Sequence, residues 1–188
     1  MSPIKLVTWD VDGTLYSLPA FRRRVFLRLA LRGRLGLIRS MLRLHEWIDS
    51  QRGVAGGRVD LAAWQRWEGV FAEERRVFTE VLSKMKPAPR AIELLESYRS
   101  QGVVQVALSD LESRYKLAAL GLEPYFADVS SAFDAGWWKP SPVAFRAIQE
   151  KWGAKPHEHI HIGDRMETDA MGAQAAGCGF ILLDGARP

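Results

Sequence analysis

The sequence of 188 residues predicts an α/β protein: a Rossmann-like, doubly wound parallel sheet with a small α-helical domain inserted after its first strand. Three observations predict it. A hydrophobic run at residues 4–9 ends in Asp10-Val11-Asp12-Gly13-Thr14-Leu15, and strand-like runs alternate with helical periodicity from about residue 88 onward. Between them lies an arginine-rich helical stretch that closes at Lys86-Pro87-Ala88-Pro89, where two prolines disfavour helix and read as a stiff linker. The expected division is therefore a core made of residues 1–16 and 86–188, and an inserted helical domain over 17–85.

The elements follow in order. Residues 4–9 have the look of a buried parallel strand. In the insertion, Gly33 and Gly36 should break residues 21–43 into two helices, and Asp60 reads as the N-cap of a third that carries Trp64, Trp67 and Phe71 inward. Residues 90–100 carry helical periodicity and stop at Gly102; residues 103–108 are a strand. A helix over 111–120 stops at Gly121, a short strand spans 127–131, and Ser141-Pro142 opens a helix that ends at Gly153. Strands at 159–162 and 180–183 flank a helix over about 168–176, which Gly177 terminates.

Composition excludes several classes. Hydrophobic content of 47% allows a real core, so disorder is not expected. The single Cys178 permits no internal disulfide, and there is no Cys/His cluster for zinc; a reducing, cytoplasmic setting follows, with the thiol as a small core residue. No leader is expected ahead of the first strand, and arginines interrupt the apolar stretch of 21–48 too often for it to span a bilayer. The formal charge of +4 is mild overall but concentrated, with eight arginines and no acidic residue over 21–43.

Chemistry gathers at strand ends. In a parallel sheet the carboxyl ends of the strands share one edge, where ligands bind. That edge would collect Asp10 and Asp12; Ser109 and Asp110; Lys139; and Asp164, Glu167 and Asp169. Singly, each has an ordinary reading as a turn, a cap or a surface charge. Two acids one residue apart repel unless a cation lies between them or one stays protonated, which suggests a magnesium site or a nucleophile with a separate acid/base.

These residues carry a resemblance. Asp10-Val11-Asp12-Gly13-Thr14, then Ser109, then Lys139, then Gly163-Asp164 with Asp169 resemble, in order, the four motifs of the haloacid dehalogenase superfamily of aspartate-nucleophile phosphohydrolases. The insertion over 17–85 is similar to the helical cap that some members place between the first two motifs. The resemblance implies Asp10 as nucleophile, Asp12 as acid and then base, and Ser109 and Lys139 gripping the phosphoryl oxygens. It implies Mg2+ held by the Asp10 carboxylate, the Asp12 carbonyl and Asp164, with Asp169 supporting the metal or holding Lys139. Dehalogenases of this superfamily lack an Asp at the Asp12 position, because a departing halide needs no proton; its presence favours phosphoryl transfer.

Some residues stand apart. Asp110 occupies a place where many relatives carry Asn, and as an N-cap for the helix over 111–120 it makes ordinary sense. His157, His159 and His161 alternate along a strand and read as packing residues, as do Trp137 and Trp138. Arg28, Arg32, Arg39 and Arg43 fall at helical spacing, so Arg28 and Arg32 are candidates to recruit an anionic substrate against the plainer reading of a solvated face. The expected function is a magnesium-dependent phosphatase for a small phosphorylated metabolite. The alternatives are a phosphomutase or phosphotransferase, or a non-catalytic protein whose basic helices hold nucleic acid or a membrane surface; neither of those two partners is expected.

Overall fold

The computed structural model describes residues 3–53 and 55–185. At its centre is β1 (Leu6–Trp9), every residue of which is buried. It pairs in parallel with β2 (Val104–Ser109) on one side and β4 (His159–Gly163) on the other, with Trp9 in register with Ala107 and Ile162. β3 (Asp128–Ser131) and β5 (Gly179–Leu182) complete a parallel five-stranded sheet in the order β3-β2-β1-β4-β5. The strand order reverses direction beside β1, the place where such sheets open a crevice.

Alternation along the strands separates two faces. Val7 and Trp9 point into a core shared with α5 (Pro89–Ser100) and α6 (Arg114–Leu120), through Leu95 and Leu117. Leu6, Val106 and Leu108 face the other way, against Phe145 and Ile148 of α7 (Val143–Trp152) and Ala173 of α8 (Met171–Ala175). Burying both faces explains why these strands read as continuous apolar runs.

Between β1 and α5 come α1 (Leu18–Leu31), α2 (Leu35–Arg52), the short α3 (Leu61–Trp64) and α4 (Glu68–Leu82). Gly33, with φ of 67°, makes the expected break, whereas Gly36 lies inside the first turn of α2. Asp60 caps α3 by accepting the Ala63 N–H at 2.9 Å, and the helix expected to run on from it is interrupted by a 3-10 turn at Gln65–Trp67. The two ends of this segment meet where the Ala88 N–H donates to the Leu15 carbonyl at 2.8 Å.

Three boundaries differ from the sequence reading. α6 begins at Arg114 rather than 111, so Asp110 is not its cap; its carboxylate is drawn away by stronger donors described below. α7 begins one residue after Pro142. A wide turn at Met166–Ala170 precedes α8, replacing the first third of the helix expected at 168–176. Among the described residues, no helix is long and apolar enough to cross a membrane.

Candidate active site

β1 ends at Trp9, and the Asp10 N–H donates to the Ile162 carbonyl at 2.8 Å, which fixes the chain as it leaves the sheet. The buried Asp10 side chain then meets Lys139, whose ammonium donates to Asp10 Oδ1 at 2.6 Å and to Asp169 Oδ1 at 2.7 Å. The third ammonium contact, to the Leu108 carbonyl, is a weak 3.4 Å. Lys139 is buried on its whole length; desolvation would lower its pKa, but the two carboxylates outweigh it and keep the amine charged. Asp10 itself is pushed well above the usual carboxylate range by burial, with Asp169 and Asp164 adding to the effect against the pull of Lys139. Burial acts on Asp169 too, yet Lys139 and His161 hold that group ionised.

Asp164 stands beside this pair. One oxygen each from Asp10, Asp164 and Asp169 lie within 4.8 Å of one another. Burial, reinforced by Asp169, raises Asp164 to about 6, and its Oδ1 is buried without a hydrogen-bond partner. Three carboxylates against one ammonium leave the cluster electron-rich, and an unpartnered buried oxygen costs free energy. A hard divalent cation satisfies both conditions, so these residues fit an oxygen-ligated metal. Gly13, at φ 95°, makes room for it: a β-carbon there would run into the Asp164 carboxylate.

Asp12 is held differently. The Tyr16 hydroxyl donates to its Oδ1, and the Lys116 ammonium reaches its Oδ2 at 2.5 Å. Burial alone would raise Asp12, but Lys116 and Tyr16 prevail and hold it below the ordinary carboxylate range. Sequence reasoning missed both partners. A signal existed for Lys116: it shares the α6 face of Leu117 and Leu120, the buried side of that helix.

Ser109 and Asp110 follow from the end of β2. Ser109 is buried and lines the same cavity as Asp10, Asp12 and Lys139. Asp110 Oδ1 accepts the Lys139 backbone N–H at 3.0 Å, and Oδ2 accepts Arg52 Nη2 at 2.6 Å. Arg52 closes α2, so a single carboxylate ties that helix to the loops bearing Ser109 and Lys139. Nothing in the sequence distinguished Arg52 from its fellow arginines.

Arg28 and Arg32, in contrast, are not brought to the cavity. Both turn to Glu80 on α4, at 2.6 Å from Arg28 Nε and 3.3 Å from Arg32 Nη1, because one exposed carboxylate opposes two guanidiniums one helical turn apart. Trp138 is also away from it, fully buried against Trp47, Trp64 and Phe133. His159 and His161 lie inside the sheet layer, where Thr8 Oγ1 bonds their rings at 2.8 and 2.9 Å. His161 Nε2 faces Asp169 at 3.4 Å, so this imidazole backs the carboxylate.

The chain is similar to known phosphatases. The chain is 29% identical over 191 residues to the glyceraldehyde 3-phosphate phosphatase of Methanopyrus kandleri, covering 93% of this chain and 81% of that protein. It is 32% identical over 154 residues to the phosphoserine phosphatase of Thermus thermophilus, covering 68% of this chain and 61% of the relative. The crystal structure of YfnB from Bacillus subtilis bound to magnesium superposes with a TM-score of 0.71 at 19% identity, over 96% of this chain and 89% of the other, a likeness of fold. The family model of haloacid dehalogenase-like hydrolases matches residues 4–177, and with the parallel sheet and the acidic strand ends in place the chain belongs to that family.

Proposed function

We propose that this hydrolase cleaves phosphate monoesters of small metabolites, with Asp10 as nucleophile and Asp12 as acid and base. The observation that carries the reading is the Lys139 ammonium bridging Asp10 and Asp169 beside a buried Asp164 oxygen that has no hydrogen-bond partner. An Asp10 oxygen attacks phosphorus, the bond to the ester oxygen breaks, and Asp12 delivers a proton to the departing alkoxide. Water then attacks the aspartyl-phosphate, and Asp12 takes its proton back. Lys139 can exchange its weak contact with the Leu108 carbonyl for a phosphoryl oxygen, and Ser109 offers a hydroxyl from the same cavity.

Asp10 and Asp164, with the Asp12 carbonyl, would hold magnesium, while Asp169 keeps Lys139 in place. The ion supplies positive charge where an anionic ester meets an anionic nucleophile. Asp12 selects phosphoryl transfer over dehalogenation, since only an alkoxide leaving group needs a proton. The helical segment 17–85 is the cap over this site, and the cytoplasm is a setting that suits the buried thiol of Cys178. The test is turnover of phosphate esters with magnesium by wild type and Asp10→Asn. Wild type should release phosphate and Asp10→Asn should not, while its circular dichroism stays native and it still unfolds cooperatively; a folded Asp10→Asn that still turns over removes the nucleophile.

A further inference from the structure

The cavity over Asp10 and Asp12 changes character along its length. It has a volume of about 520 Å³, and α1 and α2 form two of its walls. The helices touch and are joined by only three residues, 32–34, so they run back alongside each other. Leu18 and Arg52 therefore mark the end near the catalytic carboxylates, and the hairpin turn marks the far end. Towards that far end the lining is hydrocarbon: Phe21, Val25 and Leu29 from one stripe of α1, and Ile38, Met41 and Leu42 from one stripe of α2. Phe21, Val25, Leu29 and Met41 are at most 9% exposed and belong to the core with α4, so the part of this wall open to a ligand is carried by Phe26, Ile38 and Leu42.

Charge gathers towards the near end, and much of it is matched. Arg52 is taken by Asp49 and Asp110, Lys116 by Asp12, and Glu74 by His45 at 3.2 Å. Arg22, Glu46 and Arg165 also line the cavity and are exposed. Arginines flank the hairpin turn, but among the described residues none of them lines the cavity there, so its far lining offers no cation to a carboxylate or a second phosphate on the leaving group. Two of its apolar side chains stay largely in solvent, Phe26 at 57% and Leu42 at 59% exposure, an arrangement that costs free energy unless something apolar covers them.

We propose that the leaving group is a hydrocarbon alcohol, so that the substrate is an amphiphile with its phosphate at Asp10 and its chain laid between α1 and α2. This rests on the phosphomonoesterase reading above and parts company with the polar leaving groups in the names of the relatives. Hydrolysis breaks the P–O bond, the alcohol departs with the Asp12 proton, and water contributes the oxygen of the released phosphate. The polar end of the cavity suits the head and the apolar stripe suits the tail.

The experiment measures kcat/KM with magnesium for ethyl, butyl, hexyl and octyl phosphate, alongside phosphoserine, phosphoglycolate and glyceraldehyde 3-phosphate. Each added methylene should raise kcat/KM by about fourfold, the factor expected for burying one such group, and octyl phosphate should exceed all three polar esters. Phe26→Gln and Leu42→Gln alter exposed positions that the fold tolerates; each should lower the octyl-to-ethyl ratio several-fold. A flat chain-length series, or polar esters preferred over octyl phosphate, overturns the proposal while leaving the phosphatase reading intact. Hydrolysis of none of the seven esters removes the phosphatase reading, and this proposal with it.

Discussion

At the scale of single residues, the consequential contacts are those that set protonation. Lys116 and Tyr16 hold the Asp12 proton affinity down, so Asp12 loses its proton at lower pH than an unpaired buried carboxyl would. If Asp12 must be protonated when the ester arrives, the alkaline limb of the kcat/KM profile reports its pKa. Lys116→Met keeps the apolar stem and removes the charge; that limb should move up by about 1 pH unit or more, whereas a purely structural loss would lower the whole profile without moving it. The buried histidines make a separate prediction about stability. Burial, with His161 alongside, drops His159 from 6.5 to about 3, and burial lowers His161 as well, against the opposing pull of Asp169. Between those values the unfolded chain binds protons that the folded chain refuses, so stability declines as pH falls below 6.5. His159 adds a slope approaching about 1.4 kcal/mol per pH unit within that window. Urea midpoints measured from pH 7 down to about 5 should fall steadily, and His159→Asn should flatten the slope.

At the scale of elements, the aromatic cluster decides where the helical segment sits. Trp64 at the end of α3 packs against Phe133 with ring centroids 4.8 Å apart and against Trp138 at 6.4 Å, and Trp138 immediately precedes Lys139. Trp64→Ala should cost about 3–5 kcal/mol by denaturant titration and should lower kcat too, because the loop that aims Lys139 loses its backing. A loss of stability with kcat unchanged would show that the cluster is only core. Glu80 provides the contrast. Its pairs with Arg28 and Arg32 are exposed and screened by water, and Glu80→Gln should leave the urea midpoint almost where it is. Helix identity was legible because the apolar periodicity and the Asp60 cap are local signals. The start of α6 was not, since Asp110 reads as a cap until Arg52, 58 positions away in the chain, takes its carboxylate.

For the whole molecule, metal and fold should be linked. An ion bound only by the folded chain stabilises it by mass action, about 2.7 kcal/mol at a hundredfold excess over Kd. For a chain of this size that is a rise of roughly 5–10 °C in Tm. Magnesium should produce the shift in wild type, chelator should reverse it, and Asp164→Asn should abolish it; a shift that persists in Asp164→Asn would locate the ion elsewhere. Sequence alone determined the parallel sheet, the order of its strands and helices, and the convergence of Asp10, Ser109, Lys139, Asp164 and Asp169, because parallel pairing forces all carboxyl ends to one edge. Only the tertiary structure decided which charges meet. Lys116 was chosen for Asp12, Arg52 for Asp110, and Glu80 for Arg28 and Arg32, from partners up to 104 residues apart. Ion pairing depends on distance and burial in space, and neither has a period along the chain.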